Sequence, residues 1–169
     1  MNRPEKNEYA EYYHKYVEKV PQGNIVDILD GQLNSIVNFF SQITEEKSKH
    51  RYAPGKWSIK GVLGHIMDAE RVFAYRALRF SRGDEKPLLT FDENQYVANS
   101  TYDSVPLHLL VEEFSYIRKA NIHMFKNLSD EMWMKKGIAS NNPVSVRALA
   151  YIIAGHTQHH INIIEERYL

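Results

Sequence analysis

The chain has 169 residues, with 21 Lys plus Arg balanced by 21 Asp plus Glu for a formal net charge of zero, and it has no cysteine. That length suits one domain with a proper core and is short for two. The charge balance argues against a nucleic-acid partner, whose footprint is a clustered basic excess, and the lack of cysteine leaves any metal to nitrogen and oxygen donors.

The opening stretch MNRPEKNEYAEYYHKY has no apolar signal-peptide region, and no apolar run approaches the length of a membrane span, so a cytoplasmic location with no membrane partner is expected. Tyr9, Tyr12, Tyr13 and Tyr16 fall at i, i+3, i+4 and i+7, which predicts a tyrosine-faced helix over residues 5–20, packed on the body and broken by Pro21 and Gly23. Ile25, Leu29, Leu33, Ile36, Phe40 and Ile43 mark a first long amphipathic helix, and EEKSKHRYAPGKW follows as a loop. Ser58 is the expected cap of a second long helix running to about Phe80, with Trp57 before it as a hydrophobic staple. Residues 81–103 form an unusually long connection, of the kind that often carries function. A third long helix is expected from near Ser104 to Leu128, with Pro106 in its first turn and a seam of Leu107, Leu110, Phe114, Ile117 and Met124. Ser129 caps a short piece through Trp133, GIASNNPVS is a loop, and Ser145 opens the last helix. The sum is an all-α four-helix bundle of up-down type, with one long connection between helices two and three, in a single domain over 1–169.

In the closing segment GHTQHHINIIEERYL, Val146, Leu149, Ile153, His156, His160 and Ile163 step by 3, 4, 3, 4 and 3, the stripe of a bundle helix that faces the interior. His156 and His160 stand there where aliphatic side chains are expected. An i, i+4 pair has Cβ atoms about 5–6 Å apart, near enough for two imidazoles to converge on one ion. His159 lies about 100° round the helix from His160 and off the stripe. A third ligand must come from another helix, and His65 shares a face with Val62, Ala69 and Val72, flanked by Gly61 and Gly64, which admit a close neighbour. His14, His50, His108 and His123 fit less well. The pattern alone leaves open hydrogen-bonded core histidines, the commoner fate of a histidine on an apolar face.

WSIKGVLGHIMDAERVFAYR followed far downstream by GHTQHHINII resembles the DinB/YfiT-like superfamily of proposed metalloenzymes, over about residues 25–169. The resemblance implies a four-helix bundle, often a homodimer, with a divalent metal held by one histidine of the second helix and two of the last: here His65, His156 and His160. It also implies a small-molecule substrate, with either S-transfer using a low-molecular-weight thiol cosubstrate or hydrolysis as the reaction.

Three protein ligands leave a position open, the arrangement of catalytic rather than structural zinc. Zinc and nickel suit all-nitrogen ligation, and iron also binds such sets. Asp68 is near enough in sequence to reach the site or to orient a histidine N–H, whereas Glu70 and Arg71 read as a solvated or inter-helix charge set. Asp92, Glu93 and Tyr96 in the long connection are candidates for substrate contact or a general base, with turn chemistry as their alternative. A di-iron bundle would need ExxH on two helices, and only Glu11–His14 is clear. A nucleic-acid surface built on Arg71, Arg76, Arg79 and Arg82 would take Phe73, Tyr75 and Phe80 from the core. The remaining rival is a non-catalytic metal-binding protein, whose site would be closed by His159 or Asp68 as a fourth ligand.

Overall fold

A computed structural model describes all residues, 1–169. Its helices in chain order are α1 (His14–Val17), α2 (Ile25–Ser41), α3 (Glu45–Ser48), α4 (Ile59–Ser81), α5 (Glu93–Ala98), α6 (Leu107–Lys126), α7 (Asp130–Met134) and α8 (Val146–Arg167). Two short strands, β1 (Lys136–Ala139) and β2 (Asn142–Ser145), precede α8. The long helices α2, α4, α6 and α8 form the expected four-helix bundle. No helix is long and apolar enough to cross a membrane.

The long helices start where a polar group replaces the missing preceding turn. The side chains of Asn24, Ser58 and Ser145 accept from the N–H groups of Val26, Gly61 and Ala148. α6 begins later than the expected Ser104, because Tyr102–Ser104 form a separate 3-10 turn; the Leu107 N–H then donates to the Glu45 carboxylate at 2.8 Å. α4 packs on α8 and α6, and α2 packs on α6 and α8, so the consecutive long helices α2 and α4 face each other across a diagonal, as do α6 and α8. α4 and α8 are therefore direct neighbours, and this brings their histidines together.

The core has two apolar halves. One holds Ile25, Leu29, Phe73, Phe125, Leu149 and Ile153; the other holds Leu33, Phe40, Leu63, Ile66, Phe114 and Ile164. Each long helix crosses from one half to the other, and a polar belt lies near the crossing. Its centre is Arg118, fully buried, with Nε and Nη2 each donating to Glu70 at 2.8 Å, Nη1 donating to Gln32 at 2.8 Å and Nη2 donating to Thr157 at 3.1 Å. Glu70 is thus buried in an inter-helix ion pair and is not solvated, while Arg71 bridges on the surface to Glu113. Arg118 also corrects the expected seam of α6: beyond Phe114 the buried stripe follows Arg118, Ile122 and Phe125, and Ile117 and Met124 are only half-buried.

Two further expectations are corrected. Residues 5–20 do not form a continuous helix but two 3-10 turns, Lys6–Glu8 and Glu11–Tyr13, and the single turn α1. Tertiary anchors hold this segment: Arg3 donates to the carbonyl of Val17 at 2.7 Å and to that of Val20, and Glu8 accepts from Ser145 at 2.7 Å and from Arg147. GIASNNPVS is not a loop but the antiparallel β1–β2 hairpin, paired from Lys136↔Ser145 to Ala139↔Asn142. Its turn residues Ser140 and Asn141 have φ of 51° and 62°, the left-handed conformation that two-residue hairpin turns favour. The long connection docks on this hairpin, with Leu88 N–H donating to Ile138 at 2.9 Å and Ser140 N–H donating to Leu88 at 2.9 Å.

Candidate metal centre

His65 sits in the first third of α4, and His156 and His160 lie one turn apart on α8. His156 Nε2 lies 3.0 Å from His65 Nε2 and 3.1 Å from His160 Nε2. One nitrogen from each ring falls within 4.8 Å of the others, and no fourth His, Asp or Glu joins the set. His65 and His156 are buried and His160 is half-buried. Burial, and then the charge of nearby His159, hold His65 down to about 4. Burial followed by the neighbouring histidines and Lys15 holds His160 at about 2, and burial again comes first in driving His156 well below the ordinary histidine range. All three rings are therefore neutral near pH 7, the form that ligates metal.

This donor set fits a divalent cation. An imidazole Nε2 offers either one hydrogen or one lone pair, so His156 satisfies one of its two partners at a time; a cation at the shared point satisfies all three. Ligand nitrogens about 2.0–2.1 Å from a tetrahedral ion lie about 3.3 Å from one another, close to the separations here. The outer nitrogen of His65, Nδ1, is buried without a hydrogen-bond partner. Asp68 does not serve it; its carboxylate accepts from the Tyr102 hydroxyl at 2.8 Å.

Two glycines beside the histidines let neighbouring groups approach closely. Gly64, beside His65, seats the Tyr102 ring, where an added Cβ would come within 2.0 Å of it. Gly155, beside His156, seats the backbone carbonyl of Tyr16, 1.9 Å from an added Cβ. The Tyr16 ring then lies edge-on to His156 and His159, with centroids 5.3 and 5.2 Å away. A cleft of about 610 Å³ opens onto the three histidines between this segment, α4 and the hairpin turn. That volume is within the usual range of small-molecule sites.

Of the candidates from sequence, His65, His156 and His160 meet at the cleft floor, and Glu93 is the only carboxylate lining the cleft. Asp92 instead caps α5, accepting from the Gln95 N–H at 3.0 Å, and Tyr96 is an exposed ring against Phe91; neither lines the cleft. His159 and Trp57 both line it, Trp57 as a ring 4.9 Å from His65. Sequence reasoning missed Tyr12, Tyr13 and Tyr16 as lining residues, although their density over 9–16 was a usable signal. It also missed Ser140 and Asn142, for which a segment resembling a loop gave no signal.

Residues 28–164 match the DinB superfamily. A protein of Oceanobacillus iheyensis named "Putative metal-dependent hydrolase" is 21% identical over 138 residues, which is 80% of this chain and 77% of that one. Among solved structures, YfiT from Bacillus subtilis, "a probable metal-dependent hydrolase with an unusual four-helix bundle topology", aligns with a TM-score of 0.71 at 15% identity, over 96% of this chain and 89% of its own. YjoA, a DinB-like protein from Bacillus subtilis, aligns with a TM-score of 0.60 at 16% identity, over 85% and 88%. With the match spanning all four long helices and the fold shared with these neighbours, the chain belongs to the DinB superfamily.

Proposed function

We propose that the protein is a metal-dependent hydrolase of a small molecule, with zinc or nickel held by the Nε2 atoms of His65, His156 and His160. The convergence of those three nitrogens at the floor of an open cleft carries this reading. The set of three, with no fourth protein ligand, favours a catalytic over a structural site. Lewis acidity, and with it a water nucleophile near neutral pH, is what a divalent ion supplies in such a site. Burial holds the three histidines neutral, so each has a ring-nitrogen lone pair to offer an ion at the shared point. Glu93, on the cleft wall, takes the proton from the attacking water and returns it to the leaving group. Ser140 and Asn142 offer hydrogen bonds to the substrate from the hairpin turn. Thiol transfer would use the same three ligands, but the name of the Oceanobacillus relative and the description of YfiT both point to hydrolysis.

The test is a panel of amide, ester and phosphoester substrates with the metal-loaded protein. Turnover should disappear with a chelator, return with metal, and fall about 10²–10⁴-fold in Glu93→Gln. Full metal occupancy without turnover across the panel would contradict the reading.

A further inference from the structure

The cleft is chemically asymmetric. Its floor presents three imidazole nitrogens, while its walls are the rings of Tyr13, Tyr16, Trp57 and Phe73. The wall rings are braced by one another and by the histidines. Phe73 lies edge-on to His156 at 5.9 Å, Tyr13 edge-on to Phe73 at 5.9 Å, and Trp57 is tilted against His65 at 4.9 Å. Charge is sparse on the lining: Glu93, and Lys15, whose ammonium rests 4.2 Å from the centroid of Tyr12 and 5.0 Å from that of Tyr16. In a site of this kind the polar floor orients the ligand and the apolar walls supply much of its affinity. A small, wholly polar substrate would leave the aromatic faces wet and gain nothing from them.

The tyrosine part of the wall is also separate in sequence from the floor, unlike Trp57 and Phe73. The histidines fall within the family match at residues 28–164, whereas Tyr12, Tyr13 and Tyr16 precede it. The tyrosine segment is tied to the bundle by Glu8 on Ser145 and Arg147, and by the Tyr16 carbonyl on Gly155. We propose that this N-terminal segment makes the site selective for a substrate whose metal-binding group is carried on a ring-sized apolar body. The proposal rests on the metal reading above.

Two hydroxamates separate floor from wall, because both bear the same metal-binding group and differ only in the body attached. Calorimetric titration of the zinc-loaded protein should find benzohydroxamate at least about tenfold tighter than acetohydroxamate. In Tyr13→Ser that ratio should fall below about threefold, with acetohydroxamate bound as in the wild type. A wild-type ratio near one overturns the proposal whether or not the variant folds, and an unchanged ratio in folded Tyr13→Ser overturns the assignment to this segment. Failure of the protein to take up either zinc or nickel, or of both hydroxamates to bind the loaded protein, would instead overturn the metal reading and the proposal with it.

Discussion

Replacing Arg118 with methionine probes the polar belt between the two halves of the core. Arg118 and Glu70 are 0% and 1% exposed, so neither charge has water to fall back on. Arg118 makes two hydrogen bonds to Glu70 and one each to Gln32 and Thr157, with a longer contact of 3.5 Å to the Leu29 carbonyl. Methionine fills much of the stem volume and provides none of these, leaving Glu70 with Asn121 at 3.1 Å as its remaining donor. Removing one partner of a buried pair costs about 3–5 kcal/mol, against a total stability of about 5–15 kcal/mol for a domain. Arg118→Met should therefore lose about 4 kcal/mol, measured by urea unfolding followed by far-UV circular dichroism. Replacing both partners, as Arg118→Met with Glu70→Leu, should cost less than the single change because no uncompensated charge stays buried. The belt also bears on the metal centre: Thr157 adjoins His156, and Gln32 donates to the Ala154 carbonyl at 3.0 Å, so Arg118→Met should weaken metal binding as well. A loss under about 1 kcal/mol, or a double variant as damaged as the sum of the singles, would refute this account of the belt.

Two further predictions concern the site and its cover. For His65 the folded state holds the ring at about 4 against an ordinary 6.5, so the unfolded chain binds more protons as pH falls below 6.5, and acid favours unfolding. At about pH 5 this costs metal-free protein about 2 kcal/mol from His65 alone, with His160 adding in the same direction; urea midpoints that stay flat from about pH 7 to 5 would contradict it. Gly155→Ala drives a methyl group into the Tyr16 carbonyl, which should cost about 1–3 kcal/mol and free residues 1–20 for limited proteolysis, whereas unchanged protease resistance would mean that the contact is not tight in solution.

The bundle was legible because its helices announce themselves locally. Ser58, Ser129 and Ser145 cap as their positions promised, and the stripes of α2 and α8 carry the core, except that Ile161 and Ile164 are buried at the end of α8 where Ile163 was expected. The histidine cluster was legible for the same reason: an interior stripe occupied by imidazole is an anomaly that periodicity exposes. What stayed hidden depends on partners far away in the chain. An arginine is rarely fully buried, and Arg118 becomes core only through Glu70, 48 residues earlier. The tyrosines at 9, 12, 13 and 16 have helical spacing, but a short isolated helix is marginal in water. Contacts to α8 and Arg3 set the backbone there instead. The hairpin turns on Ser140-Asn141, not the Asn-Gly or Asp-Gly pair that marks such turns, and Pro143 in β2 disguises its strand.

Metal uptake tests the centre most directly. Protein purified without an affinity tag, incubated with zinc or nickel and desalted, should carry near-stoichiometric metal in the wild type and in His159→Ala. His156→Ala and His160→Ala should retain little. A wild type that stays empty after both metals, or His156→Ala and His160→Ala that keep full occupancy, would contradict the assignment of His65, His156 and His160 as the ligands.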